Sequence, residues 1–155
     1  MKDIVRNANY IKEITMIQED KELLLKDLCT RLSYGVKGLA YIVGEPCNTN
    51  TNIIGIINEN IMTNYESPML KFIDLSSKDI IIKPYLRPMS SMTEEEKKEY
   101  ELLCDYYMDD KESKYYFNNI ATIDWYHQKH FDCRGLIKLG LALEAPEGMY
   151  NLKEE

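Results

Sequence analysis

The segment from Asp124 to Arg134 (DWYHQKHFDCR) is the densest run of reactive side chains in this sequence, and it contains both histidines of the chain. On a helix, Asp124, His127 and His130 follow one another at intervals of three residues and share one face. Imidazole and carboxylate groups placed in this way can bind a metal ion. The zinc motif HEXXH, however, spaces its histidines four residues apart, and HQKH does not. We therefore expect no metal and no other cofactor, and keep Asp124, His127 and His130 as the alternative ligand set.

Cys133 offers a second chemistry, because a position at a helix N-terminus, three residues after His130, would lower the pKa of its thiol. Cysteine hydrolases, however, bring Cys and His together from distant segments, so adjacency in the sequence is weak support. The sequence also lacks the glycine-rich, nucleophile-elbow and calcium-loop motifs of common enzymes and nucleotide sites. A small metal- or cysteine-dependent hydrolase centred on His127, His130 and Cys133 is therefore the alternative to a protein without catalytic activity.

Acidic side chains are concentrated between Thr93 and Ser113. Nine acidic and three basic residues there contribute −6 of the net charge of −7, so the rest of the chain is nearly neutral. A nearly neutral body has no basic field to attract a phosphate backbone, and nucleic-acid binding is therefore disfavoured. The acidic segment is either a solvated helix face or a docking face for a basic partner.

Aromatic residues accumulate beside the acidic segment. Tyrosine combines apolar area with a hydroxyl group, which suits a protein interface as well as the seam between helices and a sheet. Arg87 could direct its guanidinium at a partner carboxylate or phosphate, or form an ordinary salt bridge. The candidate binding residues are therefore Tyr106, Tyr107, Tyr115, Tyr116, Trp125 and Arg87.

The elements that must position these side chains begin with a helix over residues 18–32, which Gly35 ends. Its buried stripe is expected to consist of Leu24, Leu25, Leu28, Cys29 and Leu32. Short β-branched and aromatic runs then alternate with polar turns, which is typical of an antiparallel meander that could curl into a barrel. The predicted strands are 36–43, 52–57, 61–65, 70–75 and 79–82, with a turn at 47–51 between the first two.

Prolines and caps mark the end of the sheet and the start of the next helix. Pro84 and Pro88 are expected to end the sheet, because neither can donate a ladder hydrogen bond. Thr93 and Glu96 have the spacing of a capping box, for a helix that runs to about Tyr107.

The C-terminal third is expected to be helical after a loop at 109–119. Thr122 is predicted to cap a helix to about residue 130, and Asp132 to cap another over 133–139 that ends at Gly140. The fold class is therefore α+β, with an N-terminal helix, a small central antiparallel meander and C-terminal helices.

Length and composition favour one domain over residues 1–155, with 1–14 as a helical or frayed extension. Apolar residues make up 45% of the chain, but no run is long enough for a membrane span and the start lacks a signal peptide. The four cysteines form no CxxC pair and indicate reduced thiols, with Cys29 and Cys104 in the core. We therefore expect a cytoplasmic protein.

Four blocks of the sequence resemble short uncharacterised proteins of gut Bacteroidetes and their prophages. The blocks are KDLCTRLSYGV at 26–36, KPYLRPMSSMTEEE at 83–96, HFDCRGLI at 130–137 and GLALEAPEGMY at 140–150. The resemblance implies a bacterial or phage setting in the cytoplasm, and it implies no catalytic activity.

Together these observations favour a non-enzymatic binding or accessory protein of a phage or mobile element, which could interfere with a host protein or a signalling nucleotide. A protein partner is expected first, and a small molecule or nucleotide is the alternative ligand. The rival hypotheses are the hydrolase described above and a transcriptional regulator that uses the C-terminal helices, which the acidic balance weakens.

Overall fold

The structure, a computed structural model, describes residues 16–46, 48–106 and 114–150. Within these ranges, residues 105–106 and 114–119 are described by their backbone alone. It confirms the α+β class: an N-terminal helix, a central sheet and C-terminal helices. The helices are α1 (Gln18–Arg31), α2 (Pro68–Lys71), α3 (Glu94–Tyr106) and α4 (Lys114–Gln128). The strands are β1 (Lys37–Ile42), β2 (Asn48–Ile57), β3 (Asn60–Thr63), β4 (Phe72–Asp74), β5 (Ile80–Leu86) and β6 (Leu143–Glu144).

In the described part of the chain, the sheet is mixed and has six strands in the order β4-β3-β2-β1-β5-β6. The first five strands pair antiparallel, as expected for a meander, whereas β6 joins β5 in parallel. Because β4 and β6 lie at opposite edges, the sheet is open and does not close into a barrel. The parallel edge strand brings the C-terminal segment beside Tyr85 and Leu86.

The predicted hairpin of β1 and β2 is confirmed, but the predicted turn at 47–51 was wrong from Asn48 onward. Residues 48–51 already belong to β2, with Asn48 opposite Tyr41 and Thr51 opposite Gly38. β-Branched threonines alternate with asparagines in this stretch, so one side of the strand can be buried. The chain reverses earlier, where Gly44 adopts a φ of 88° that most other residues avoid.

Pro84 lies inside β5, so the expectation that it ends the sheet was wrong. It stands opposite Gly38 of β1, and the strand continues to Leu86. The strand on the other side, β6, pairs only with Tyr85 and Leu86. Within the described residues, Pro84 therefore occupies a part of β5 with one neighbouring strand, where its missing N–H removes no ladder bond on the open side.

The buried face of α1 is more polar than its leucine stripe predicts. Leu24 and Leu28 are fully buried, as expected, but so are Asp27 and Arg31. Cys29, expected in the core, is exposed, because the buried face runs through residues 24, 27, 28 and 31, at intervals of three and four. The charged pair on this face therefore needs partners inside the protein.

The capping box that starts α3 is confirmed. The Glu96 amide donates to Thr93 Oγ1 at 3.2 Å, and the Thr93 amide donates to Glu96 Oε2 at 2.9 Å. The predicted loop at 109–119 was wrong over 114–119, which are helical, while 109–113 lie outside the described residues. Thr122 is consequently interior to α4 and does not cap it.

Asp132 caps a series of turns where a helix was predicted over 133–139. Its two carboxylate oxygens accept hydrogen bonds from the amides of Leu136 and Ile137 at 2.8 and 2.9 Å. The turns end at Gly140, which adopts a φ of 75°. The capping residue was thus identified correctly, whereas the element it begins is shorter than a regular helix.

The end of α4 has an unusual residue in its left-handed position. The Phe131 amide bonds to Tyr126 O and the His130 amide to His127 O, which together form a Schellman motif. His130 occupies the place usually taken by glycine and has a φ of 60°. This turn redirects the chain so that Phe131 forms a bridge with Arg87 and is itself fully buried.

Among the described residues, no helix combines the length and the apolar character that crossing a membrane requires.

Candidate functional site

A cluster of charged and polar side chains lies in the interior between α1 and the chain that follows α4. At its centre is the fully buried ion pair of Asp27 and Arg31. Arg31 Nε donates to Asp27 Oδ2 at 2.6 Å, and its Nη2 donates to Asp27 Oδ1 at 3.1 Å and to Phe131 O at 2.7 Å. Arg31 Nη1 is also buried but has no hydrogen-bond partner among the described residues, so the needs of this buried guanidinium are only partly satisfied.

Three further residues complete the cluster, and they come from the last turn of α4 and from the chain just after it. His127, in the last turn of α4, is 1% exposed. Cys133 and Arg134 follow the Schellman turn and are partly exposed. Arg134 Nε lies 3.2 Å from Asp27 Oδ1, within ion-pair distance but outside hydrogen-bond geometry. The cluster therefore contains one carboxylate and two guanidinium groups.

His127 directs one ring nitrogen at two chemically different neighbours. Its Nε2 is 3.6 Å from Cys133 Sγ and 3.6 Å from Asp27 Oδ1. In a nucleophile–histidine–acid triad, the acid binds the ring nitrogen opposite the one that faces the nucleophile. Here both groups converge on the same nitrogen, so the arrangement is not that of a catalytic triad.

The electrostatics of the cluster also oppose a nucleophilic cysteine. Burial, reinforced by the charge of Arg31, lowers the pKa of His127 to about 4. Burial raises the pKa of Cys133, although Arg31 acts in the opposite direction. Near neutral pH the pair is therefore a thiol and a neutral imidazole, and not the reactive thiolate–imidazolium pair.

The ligand set considered from the sequence is not brought together. Asp124 accepts a hydrogen bond from the Tyr34 hydroxyl at 2.8 Å. His130 lies beyond the end of α4, so it does not share a helix face with Asp124 and His127. Its ring stacks on the Tyr150 ring instead, with the ring centres 3.6 Å apart. His127 meets Asp27 and Cys133 instead.

Sequence reasoning missed Asp27, Arg31 and Arg134 as members of the cluster. The sequence of α1 contains a signal for this site. Asp27 and Arg31 are four residues apart, and each lies three residues after a leucine of the buried stripe, Leu24 or Leu28. A charged pair on an apolar helix face indicates a buried polar site. Its partners could not be identified, because they lie about one hundred residues away in the sequence.

A second candidate site is a cleft of about 850 Å³ between the start of α3 and residues 144–150, which we call the C-terminal turn. This size lies in the range typical of ligand sites. Its apolar walls include Pro88, Ala145, Pro146 and Tyr150. Its charged lining consists of Glu95, Glu96, Glu99, Glu144, Glu147, Arg87 and Lys129.

Both basic groups of the cleft are already neutralised by neighbours. Arg87 binds Glu96 through two parallel hydrogen bonds of 2.7 and 2.8 Å, and its guanidinium lies 4.3 Å from the centre of the Phe131 ring. Burial is the largest single influence on Glu96 and opposes its ionisation. The hydrogen bonds from Arg87 and the Thr93 amide, together with the charges of Arg87 and Lys129, outweigh burial and lower the pKa of Glu96. Lys129 Nζ lies 3.0 Å from Glu99 Oε2.

Three carboxylates of the cleft are left over after these pairs are formed. Glu95, Glu144 and Glu147 are exposed and form no ion pair or side-chain hydrogen bond with another residue in the described part of the chain. The cleft therefore presents an excess of negative charge beside an apolar wall.

The predicted binding residues are distributed between the interior, the cleft and undescribed parts of the chain. Arg87 lines the cleft, but its guanidinium is engaged by Glu96. Trp125 is 6% exposed and packs against Tyr100 and Phe131, with ring centres 5.5 and 5.7 Å apart. Tyr107 lies outside the described residues, as do the side chains of Tyr106, Tyr115 and Tyr116.

Comparison of the chain with protein-family models, with curated proteins and with solved structures gives no match.

Proposed function

We propose that this chain is a non-enzymatic binding protein whose acidic cleft accepts a cationic segment of a protein partner. The observation that carries the proposal is the lining of the cleft, where five carboxylates face two basic groups that are both already paired. An arginine or lysine from a partner would supply the missing positive charge.

The chemistry of the walls favours a peptide over a small inorganic cation. Lysine and arginine carry apolar stems behind their charged ends, and these stems pack well on apolar surface. Pro88, Ala145, Pro146 and Tyr150 offer such a surface next to the free carboxylates. In a segment with two or more basic side chains, the apolar stems can therefore pack on the cleft walls while the charged ends pair with the free carboxylates.

The same lining weighs against the other ligands considered from the sequence. Nucleic acid and signalling nucleotides carry phosphates, which the unpaired Glu95, Glu144 and Glu147 would repel. A hydrolase that uses Cys133 is disfavoured because its thiol and the imidazole of His127 are both neutral near pH 7. We therefore favour a protein partner over these alternatives.

The proposed setting is the cytoplasm of a bacterial cell, with a phage or mobile element as the source of the gene. This part of the proposal is supported by the resemblance of four sequence blocks to short proteins of gut Bacteroidetes and their prophages. In that setting the partner is a host protein that exposes a basic segment.

Binding of a fluorescent oligo-arginine peptide, followed by anisotropy, tests the proposal. The triple variant Glu95→Gln, Glu144→Gln, Glu147→Gln should weaken binding about tenfold, since each surface pair is worth roughly 0.5 kcal/mol. Raised salt should weaken binding to the wild type and have less effect on the variant.

A matched variant separates the cleft from the general acidity of the protein. Glu19→Gln, Glu45→Gln and Glu66→Gln remove the same charge from exposed positions outside the cleft lining. This control should bind the peptide within about twofold of the wild type. Equal losses in the two triple variants would mean that the peptide is attracted by net charge, and the proposal would be wrong.

A further inference from the structure

We propose that Asp27, His127 and Cys133 form a binding site for a transition metal of the zinc class. The site is separate from the acidic cleft, because none of the three residues lines it, and it does not depend on the proposed function. It also differs from the ligand set Asp124, His127 and His130 considered from the sequence.

The three ligand atoms converge on one point. His127 Nε2 lies 3.6 Å from both Cys133 Sγ and Asp27 Oδ1, and the three potential ligand atoms are within 4.8 Å of one another. A triangle with these sides has a point within about 2.4 Å of all three corners, and zinc bonds to N, O and S ligands are about 2.0–2.3 Å long. Two ligand atoms of a tetrahedral zinc ion lie about 3.5 Å apart, so the two distances from His127 Nε2 already fit. The separation of the Cys133 and Asp27 ligand atoms must shrink by up to about 1 Å to complete the coordination.

The convergence on one histidine nitrogen distinguishes a metal site from a hydrogen-bonded triad. A single ring nitrogen has either one proton or one lone pair, so it cannot bond to Cys133 and Asp27 at once. A metal ion between the three atoms binds all of them together. It takes the place of the thiol proton, which is released to water when Cys133 coordinates as a thiolate.

Arg31 supplies the outer support that metal-binding carboxylates usually have. The Arg31 guanidinium donates hydrogen bonds to both oxygens of Asp27 and to the Phe131 carbonyl. These bonds fix the orientation of the Asp27 carboxylate. Arg134 lies near Asp27 Oδ1 but is not aligned for a hydrogen bond. A lone pair of Oδ1 is consequently available for a metal ion.

The two guanidinium groups determine which metal the site can hold. Arg31 and Arg134 repel any cation, and this cost must be offset by the bonds to the ligands. Mg²⁺ and Ca²⁺ prefer oxygen ligands and gain little from sulfur and imidazole nitrogen. Zn²⁺ and Co²⁺ bond strongly to thiolate and imidazole, and these bonds can offset the repulsion by the two arginines. The site should therefore bind Zn²⁺ or Co²⁺ and reject Mg²⁺ and Ca²⁺.

The site is also reachable from solvent. Asp27 and His127 are buried, but Cys133 is partly exposed and the Arg134 side chain is 24% exposed. An ion can therefore enter beside Cys133 without unfolding α1. With three protein ligands, the fourth position of a tetrahedral ion would face this opening.

Titration of the chelator-treated protein with Co²⁺ tests the site, because a cobalt–thiolate bond absorbs in the near ultraviolet. We expect this band to saturate at one equivalent and to disappear when Zn²⁺ is added in competition. Cys133→Ser should abolish the band, whereas Cys29→Ser, which changes an exposed cysteine on α1, should leave it unchanged. Absence of the band in the wild type, or its persistence in Cys133→Ser, would overturn the proposal.

A second measurement needs no variant and does not depend on how the serine protein folds. Zn²⁺ should slow the alkylation of Cys133 by iodoacetamide at least tenfold, read by peptide mass spectrometry, and leave the rate at Cys29 unchanged. Equal rates at Cys133 with and without Zn²⁺ would contradict the proposed site.

Discussion

Asp27 is the residue on which the buried cluster depends, because among the described residues it is the one carboxylate between the Arg31 and Arg134 guanidinium groups. It is fully buried, it receives two hydrogen bonds from Arg31, and it lies within ion-pair distance of Arg134. A buried cation is tolerated only while its counter-charge is present. The contribution of Asp27 to stability should therefore be much larger than that of any carboxylate on the surface.

Asp27→Asn should lower the free energy of unfolding by about 3–5 kcal/mol, since it leaves the charge of Arg31 buried without compensation. Urea denaturation of the metal-free protein measures this loss. Glu66→Gln, at an exposed position, should change stability by less than about 0.5 kcal/mol. A loss below about 1 kcal/mol for Asp27→Asn would show that Arg31 does not depend on this carboxylate.

His130 should make the stability of the protein sensitive to mild acid. Burial, reinforced by Arg31, lowers the pKa of its ring from 6.5 to about 4 in the folded protein. The unfolded state therefore binds more protons between these values. Stability from this group is complete above about pH 6.5 and is lost as the pH falls towards 4.

We expect His130 to account for a loss of about 2 kcal/mol between pH 7 and pH 5. His130→Asn removes the titrating ring and keeps a residue that tolerates the left-handed position at φ 60°. Unfolding free energies of both proteins at the two pH values isolate this contribution. Parallel pH profiles for wild type and variant would mean that the His130 ring is not held neutral.

Elements whose signals are local were predicted well from the sequence. The helix α1, the hairpin of β1 and β2 and the capping box of Thr93 and Glu96 depend on residues close together in the chain. Pro84 was misinterpreted because its tolerance depends on the length of β6, which comes from the far end of the sequence. The same limit applies to the site, since Asp27 and Cys133 meet only in the folded protein.

The start of α3 provides a test of such a local signal. Thr93→Ala should cost about 1 kcal/mol of unfolding free energy, because the Glu96 amide loses its side-chain acceptor. Thr93→Ser keeps the hydroxyl and should recover most of the loss. If the alanine and serine variants have the same denaturation midpoint, the hydroxyl of Thr93 does not cap the helix.

The buried cluster and the acidic cleft are separate sites, and the stacked rings of His130 and Tyr150 connect them. His130 follows α4, near the buried cluster, and its ring stacks on Tyr150, which lines the cleft. The Tyr150 hydroxyl donates to Tyr85 O at 2.9 Å, so the C-terminal turn is fixed against β5. The cleft therefore has one wall formed by packed structure, and a ligand meets a surface that is largely preformed.

Titration of the ¹⁵N-labelled protein with the oligo-arginine peptide locates the bound peptide on the protein, because each backbone amide reports on its own surroundings. If the peptide binds in the cleft, the shifts should be concentrated at Glu95, Glu147, Gly148 and Tyr150. Amides on the opposite part of the sheet, such as that of Ile54, should not move. Shifts spread over all acidic surfaces, or concentrated around Glu19 and Glu66, would contradict the assignment of the cleft as the binding site.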